Sequence, residues 1–261
     1  MLRPARLNQV LAALLVVTSA VHLGALLTSA TRLAGVTQWF LMPLLAAWVL
    51  AATSGRPRGR LVRLTLAALA ASWLGDTAPD LVPSSSSFLV MVGFFLCAQV
   101  CYIAAFWPFR SRSVLASRRA AASGGFRTQP VGAVAYGVVL VALVAACAPG
   151  TGSLLVPTVV YGACLVSMAA LATGVSGRVA LGGAIFLVSD SLIALHAFTS
   201  WYALPQHGFW VMLTYVGGQA LIATGVVAQV RTGARANVGH GASGRRTVAP
   251  PDAEPVPPAL T

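Results

Sequence analysis

The 261-residue chain is 57% hydrophobic and only 8% charged, with net charge +12 and mean hydropathy +0.82. A soluble domain carries about 25% charged residues, so the composition excludes an ordinary soluble protein and points to an integral membrane protein. All 17 basic residues are Arg, and they sit at helix ends and in loops, where orientation signals belong, rather than in a basic stripe interleaved with aromatics as a nucleic-acid binder would have them.

Taken in order, Met1 to Arg6 is a short basic start, and Leu7 to Leu27 is the first apolar run. It is long for a signal peptide and other spans follow, so it reads as an uncleaved helix. The second run is about Val36 to Thr53, ended by the loop from Gly55 to Arg60. The third runs from Leu61 to Asp76 or Pro79, and Pro79, Pro83 and Ser84 to Ser87 then read as an irregular turn. The fourth covers Phe88 to Trp107, followed by a basic loop with Arg110, Arg112, Arg118, Arg119 and Arg127. The fifth is Val131 to Ala148, closed by Pro149-Gly150; the sixth is Leu154 to Gly174, the seventh Val179 to Trp201 and the eighth Phe209 to Val230. Each is near the length of about 20 residues that a span needs.

The predicted fold is therefore all-α, a polytopic membrane bundle of eight transmembrane helices over residues 1–231. Residues 232–261, rich in Gly, Ala, Arg and Pro, read as a disordered cytoplasmic tail, and Asp252 and Glu254 fall there. With eight spans, every Arg but Arg32 lies on one side. By the positive-inside rule both termini are cytoplasmic in a multi-pass protein of the cell membrane.

Cys97, Cys101, Cys147 and Cys164 all fall inside apolar runs and read as small packing residues. With His22, His196, His207 and His240 they form no metal motif. No metal and no cofactor is expected, and no nucleic-acid partner. His22 and His196 read as helix-packing residues, and Asp80 after Pro79 as a solvated cap or turn.

An aspartate in an apolar helix costs roughly 2.5–3.5 kcal/mol at a bilayer centre, and the chain keeps two, Asp76 and Asp190. Their surroundings repeat. Leu74-Gly75-Asp76 is followed by Phe88-Leu89-Val90-Met91 and then Phe95, Gln99 and Tyr102. Val188-Ser189-Asp190 is followed by Phe209-Trp210-Val211-Met212 and then Tyr215 and Gln219. Asp76 lies 13 residues after Arg63, and Asp190 lies 12 after Arg178. This pattern suggests a parallel 4+4 internal repeat, with its axis along the membrane normal. Both acids would then stand at matching depth, roughly 18–20 Å along their helices at about 1.5 Å per residue. Two carboxyls, two amides and one or two phenols could line one cavity, where close carboxyls resist double ionisation. An intramembrane Asp can also simply bond a neighbouring helix, but matched depth favours function. Tyr102 is open to a second reading as part of an interfacial aromatic belt. Ser189 has no His to activate it as a nucleophile and reads as orienting Asp190.

With these residues in view, the chain resembles the YhhN family of eight-span membrane proteins, the lysoplasmalogenase family. The matching stretches are Leu74-Gly75-Asp76, Phe95 with Gln99 and Tyr102, Gly183 to Leu195, and Met212 to Tyr215 followed by Gln219 to Ala223. The resemblance covers residues 8 to 230, and its Ser-Asp and Tyr-to-Gln region is the most specific part. Against that pattern, Gln99 stands where many relatives have His, and Gln38-Trp39 where a Lys-Pro pair is common.

The resemblance implies hydrolysis of the vinyl-ether bond of lysoplasmalogens to a fatty aldehyde and a glycerophospho-alcohol. The expected substrate is a lysophospholipid, drawn from the membrane lipid. Asp76 and Asp190 are the expected catalytic pair, one the acid and the other the carboxylate. Gln99, Tyr102, Ser189, Tyr215 and Gln219 are expected to orient water or head group. A lipid or small-solute carrier without hydrolytic activity is the alternative, because a 4+4 repeat with polar groups at mid-depth is also a transporter pattern. The sequence leaves the oligomeric state open.

Overall fold

The structure is a computed structural model and describes residues 4–116 and 131–243, with side chains described over 6–116 and 131–232. Arg118, Arg119, Arg127, Asp252, Glu254 and residues 1–3 lie outside the described residues, and so does the His240 side chain.

Among the described residues the chain is all-helical. The helices are α1 (Pro4–Leu27), α2 (Thr31–Ala52), α3 (Arg60–Thr77), α4 (Ser84–Phe106), α5 (Val131–Thr151), α6 (Leu155–Ala172), α7 (Gly177–Phe198) and α8 (His207–Ser243). Short 3-10 turns cover Ala78–Leu81, Trp107–Arg112 and Gly152–Leu154. Six helical stretches are long and apolar enough to cross a membrane. One of them, Val131–Ala172, takes in both α5 and α6. Helix α3 is not among the six, because it begins with Arg60 and Arg63 and carries Thr65, Ser72, Asp76 and Thr77. The protein is thus a multi-pass helical membrane protein.

The distribution of polarity is the reverse of a soluble fold. Val16, Val141 and Val156 are 66%, 68% and 71% exposed, whereas Ser72, Gln99 and Gln219 are fully enclosed. A hydrocarbon solvent accepts the outer valines at no cost. It cannot satisfy polar groups, so these gather inside and bond one another.

Neighbouring helices in the chain pack in order, α1 on α2, α2 on α3 and α3 on α4, then α5 on α6, α6 on α7 and α7 on α8. The two series meet where α4 lies on α6 and where α8 lies on α1, α2 and α3. His22 Nδ1 stands 2.9 Å from Thr37 Oγ1 and 3.1 Å from the Ala34 carbonyl, joining α1 to α2 in the packing role expected of it. Trp73 Nε1 donates to the Trp39 carbonyl at 3.0 Å, joining α3 to α2. At one end of the bundle arginines cover helix ends. Arg58 and Arg231 donate to the Leu50 and Ala52 carbonyls at the end of α2, and Arg110 lies 5.2 Å over the Trp107 ring.

Some boundaries differ from expectation. Ser84 to Ser87 form the first turn of α4 rather than an irregular turn, with Ser86 and Ser87 N–H donating to the Pro83 carbonyl. The first N–H groups of a helix have no intrahelical partner, so serines and a preceding proline suit that position. Pro149 does not close α5, which runs to Thr151 and stops before Gly152, at φ +50°. Helix α8 continues to Ser243, past the tail boundary expected at 231, and 244–261 lie outside the described residues.

Candidate active site

The site begins at the end of α3. Gly75 precedes Asp76 because α4 comes close there: a Cβ on Gly75 would stand 2.9 Å from Phe95 Cε2. The Phe95 ring in turn meets Tyr215 of α8 edge to face, at 5.7 Å and 85°. So positioned, Tyr215 Oη donates to Asp76 Oδ2 at 2.7 Å. Gln38 of α2 donates to the Asp76 backbone carbonyl at 3.5 Å.

The second acid stands on α7, which approaches α8 through glycine. A Cβ on Gly182 would lie 2.8 Å from the Gly218 carbonyl oxygen, and one on Gly218 would lie 2.9 Å from Phe186 N. Helix α8 stays unbroken through Gly217 and Gly218. Asp190 Oδ2 accepts from Tyr161 Oη of α6 at 2.5 Å and from Gln99 Nε2 of α4 at 3.0 Å. The side-chain partners of both carboxyls are therefore neutral groups. The short hydrogen bonds to both carboxyls fall on Oδ2.

Asp76 and Asp190 line one cavity of about 350 Å³, together with Gln38, Ser189 and Tyr215. Asp80, exposed in the turn after α3, lies on the same cavity and so does His207, at the start of α8. His207 stacks on His196 with ring centroids 4.3 Å apart, and its Nδ1 is 3.0 Å from Tyr202 Oη. This end of the bundle is opposite the one where Arg58, Arg110 and Arg231 lie, and Arg32 at the start of α2 is the arginine on it.

The remaining expected residues divide. Gln99 stands behind Asp190, and its Oε1 is buried without a partner. Tyr102 and Gln219 do not reach the cavity. Tyr102 Oη donates to Gln219 Oε1 at 2.5 Å, and Gln219 Nε2 donates to Ser72 Oγ at 3.0 Å, one helical turn before Asp76. Tyr102 is fully buried in this network, which leaves no place for it in an interfacial belt. Ser189 does not bond Asp190. Its Oγ donates to the Val211 carbonyl at 3.0 Å and ties α7 to α8. Helix geometry explains the difference, since adjacent residues on a helix point about 100° apart.

Tyr161, Ser72 and Gln38 contribute contacts that sequence reasoning did not assign. A hydroxyl-bearing aromatic inside an otherwise apolar sixth span was the available signal for Tyr161. Among the described residues, no group of three or more His, Cys, Asp or Glu gathers closely enough to hold a metal ion.

The YhhN family model matches residues 33–226, a range that contains every residue of this site. The chain belongs to the YhhN family. The match runs from α2 into α8, so the family assignment covers the helices that carry both acids. No curated protein and no solved structure matches the chain.

Proposed function

We propose that this YhhN protein is a membrane-embedded hydrolase of the vinyl-ether bond of lysoplasmalogen-type lysophospholipids. The products are a fatty aldehyde and a glycerophospho-alcohol. The observation that carries the reading is the pair Asp76 and Asp190 on one cavity, each held at Oδ2 by a phenol.

The chemistry asks for two carboxyl groups. One, protonated, gives its proton to the outer vinyl carbon, and the C=C electron pair forms the new C–H bond. The carbon attached to oxygen becomes an oxocarbenium ion, stabilised by the second carboxylate. That carboxylate takes a proton from water as the water oxygen bonds to the cationic carbon. The resulting hemiacetal breaks its C–O bond to the glycerol, which leaves as the alcohol, and the aldehyde remains. One water is consumed and the two carboxyls exchange roles in the proton count. Glycoside hydrolysis uses the same division of labour around an oxocarbenium-like state, and a positioned acid or base contributes about 10²–10⁴-fold. Tyr215, Tyr161 and Gln99 fix the two carboxyls, while Gln219 acts through Ser72 and the end of α3.

The same reading takes α1 to α8 as eight crossings in two units of four, with both termini cytoplasmic. In support, each unit packs in sequential order and carries its acid on its third helix. The glutamine of each fourth helix also reaches the acid-bearing helix of the other unit, Gln99 to Asp190 and Gln219 to Ser72. A carrier would call for broken spans at the site, whereas α3, α4, α7 and α8 hold these residues on continuous helix.

The test is aldehyde release from a choline or ethanolamine lysoplasmalogen by the purified protein in detergent, beside Asp76→Asn and Asp190→Asn. Release that vanishes in both variants is expected. No release from a folded protein, with solute flux in vesicles instead, would favour the carrier.

A further inference from the structure

We propose that the groove between α4, α6 and α7 is the site for the single hydrocarbon chain of a lysolipid, reached sideways from the membrane. The proposal rests on the hydrolase reading for the fate of the lipid but not for its binding.

The groove is lined by Phe88, Leu89 and Val92 of α4, Pro157 of α6, and Ala194 and Phe198 of α7, among other apolar groups. Its only polar residues are Thr158, Tyr161 and Asp190. Leu89, on its wall, is 52% exposed on the outer face of the bundle, so the groove opens sideways between the helices, and its apolar lining suits lipid better than water. Phe88 and Phe198 meet edge to face at 5.7 Å between α4 and α7, beside that opening. The groove is small, about 50 Å³ against about 350 Å³ for the polar cavity, so it encloses the part of the chain next to Asp190.

The two spaces are continuous. Met91, Phe95, Asp190 and Ile193 line both. One compartment is small, apolar and open sideways. The other is wide, polar and carries Gln38, Asp80 and His207. A molecule that fills both has one hydrocarbon chain and one polar head, with the junction between them at Asp190. The groove that meets the cavity at Asp190 is a single one, which takes one chain. The junction of tail and head in a lysolipid is the ether or ester linkage, so the groove sets the reacting bond against the carboxyl.

The experiment uses the full chain in nanodiscs and a lysophospholipid with a saturated alkyl ether and a diazirine near the end of its chain. This probe has no vinyl-ether bond, so its binding is read independently of hydrolysis. Labelling should saturate, fall on peptides spanning residues 88–92, 154–158 and 194–198, and be competed by unlabelled lysolipid but not by diacyl lipid. Ala194→Trp and Val92→Trp narrow the groove from opposite walls. Each should weaken labelling about tenfold, the effect of losing burial of about two methylenes. Far-UV circular dichroism and elution volume establish that the variants are folded. If they are not, saturation and competition on the unaltered chain decide alone. Labelling that is unsaturable and spread over the outer faces of α1 and α5 overturns the proposal, as does labelling unchanged in both folded variants. Saturable groove labelling without aldehyde release would sink the hydrolase reading and leave the groove standing. Aldehyde release without saturable groove labelling would do the reverse.

Discussion

Tyr215 and Asp76 lie 139 residues apart in sequence and meet at 2.7 Å inside the helix bundle. The phenol is the closest donor to this carboxyl, with the Gln38 amide of α2 beside it. Tyr215→Phe keeps the ring that packs on Phe95 and removes only the donor. A hydrogen bond to a charged group is worth about 1.5–3 kcal/mol. Aldehyde release should therefore fall about 10–150-fold in a variant that still folds by circular dichroism. Turnover within twofold of the unaltered protein would remove Tyr215 from the site.

Asp190 has two donors, Tyr161 and Gln99. Tyr161→Phe and Gln99→Ala should each lower turnover, and the double variant should lose less than the product of the two. Groups that act on one oxygen couple, by about 0.5–3 kcal/mol in such cycles. Single-turnover kinetics on the four proteins measures this directly. Strict additivity would mean that the two donors do not act through the same carboxyl.

Gly75 lets the Phe95 ring lie against α3. Gly75→Ala inserts a methyl 2.9 Å from that ring, which must move along with the tyrosine it supports. Turnover should drop while the fold survives, and Gly75→Ala with Phe95→Leu should recover part of the loss. No recovery would place the defect in the α3 backbone instead.

Gly182 and Gly218 are a different case, because backbone faces backbone. At Gly218 an added Cβ would stand 2.9 Å from Phe186 N and 3.0 Å from the Gly182 oxygen. Neither atom can swing aside as a side chain can. Gly218→Ala should cost about 1–3 kcal/mol as overpacking and lower the midpoint of thermal unfolding in detergent. Gly217→Ala, where nothing lies within 4 Å, is the matched control and should leave the midpoint unchanged.

The eight-crossing reading makes a topological prediction. In a cysteine-free background, a cysteine at Ser86 should react with an impermeant maleimide from outside the cell, and one at Ser111 only after the membrane is opened. Reaction of both from the same side would sink the assignment.

The helices were legible because an apolar run of about 20 residues has few alternatives. The acids stood out because a carboxyl in an apolar helix is costly, and the structure brings both to one cavity. Tyr215 and Gln99 lie in the stretches after the two acids that the sequence pattern singled out, whereas Tyr161 stands on α6, outside those stretches. Ser189 was placed beside Asp190 by sequence adjacency, yet its hydroxyl faces α8. Tyr102 and Gln219 were expected at the cavity but bond each other beneath it. Sequence locates a polar group along a helix, and the angle around the helix decides what it touches.

The distance along the chain between Asp76 and its phenol also bears on how the protein is made. Ribosomes add about 5–20 residues per second, so Tyr215 emerges roughly 7–28 s after Asp76. Throughout that interval the nascent chain holds a helix-borne acid whose phenol partner does not yet exist. Truncation before α8 should therefore leave a product that is recognised as faulty and degraded, because the last helix to be synthesised satisfies one of the first costly residues to be inserted.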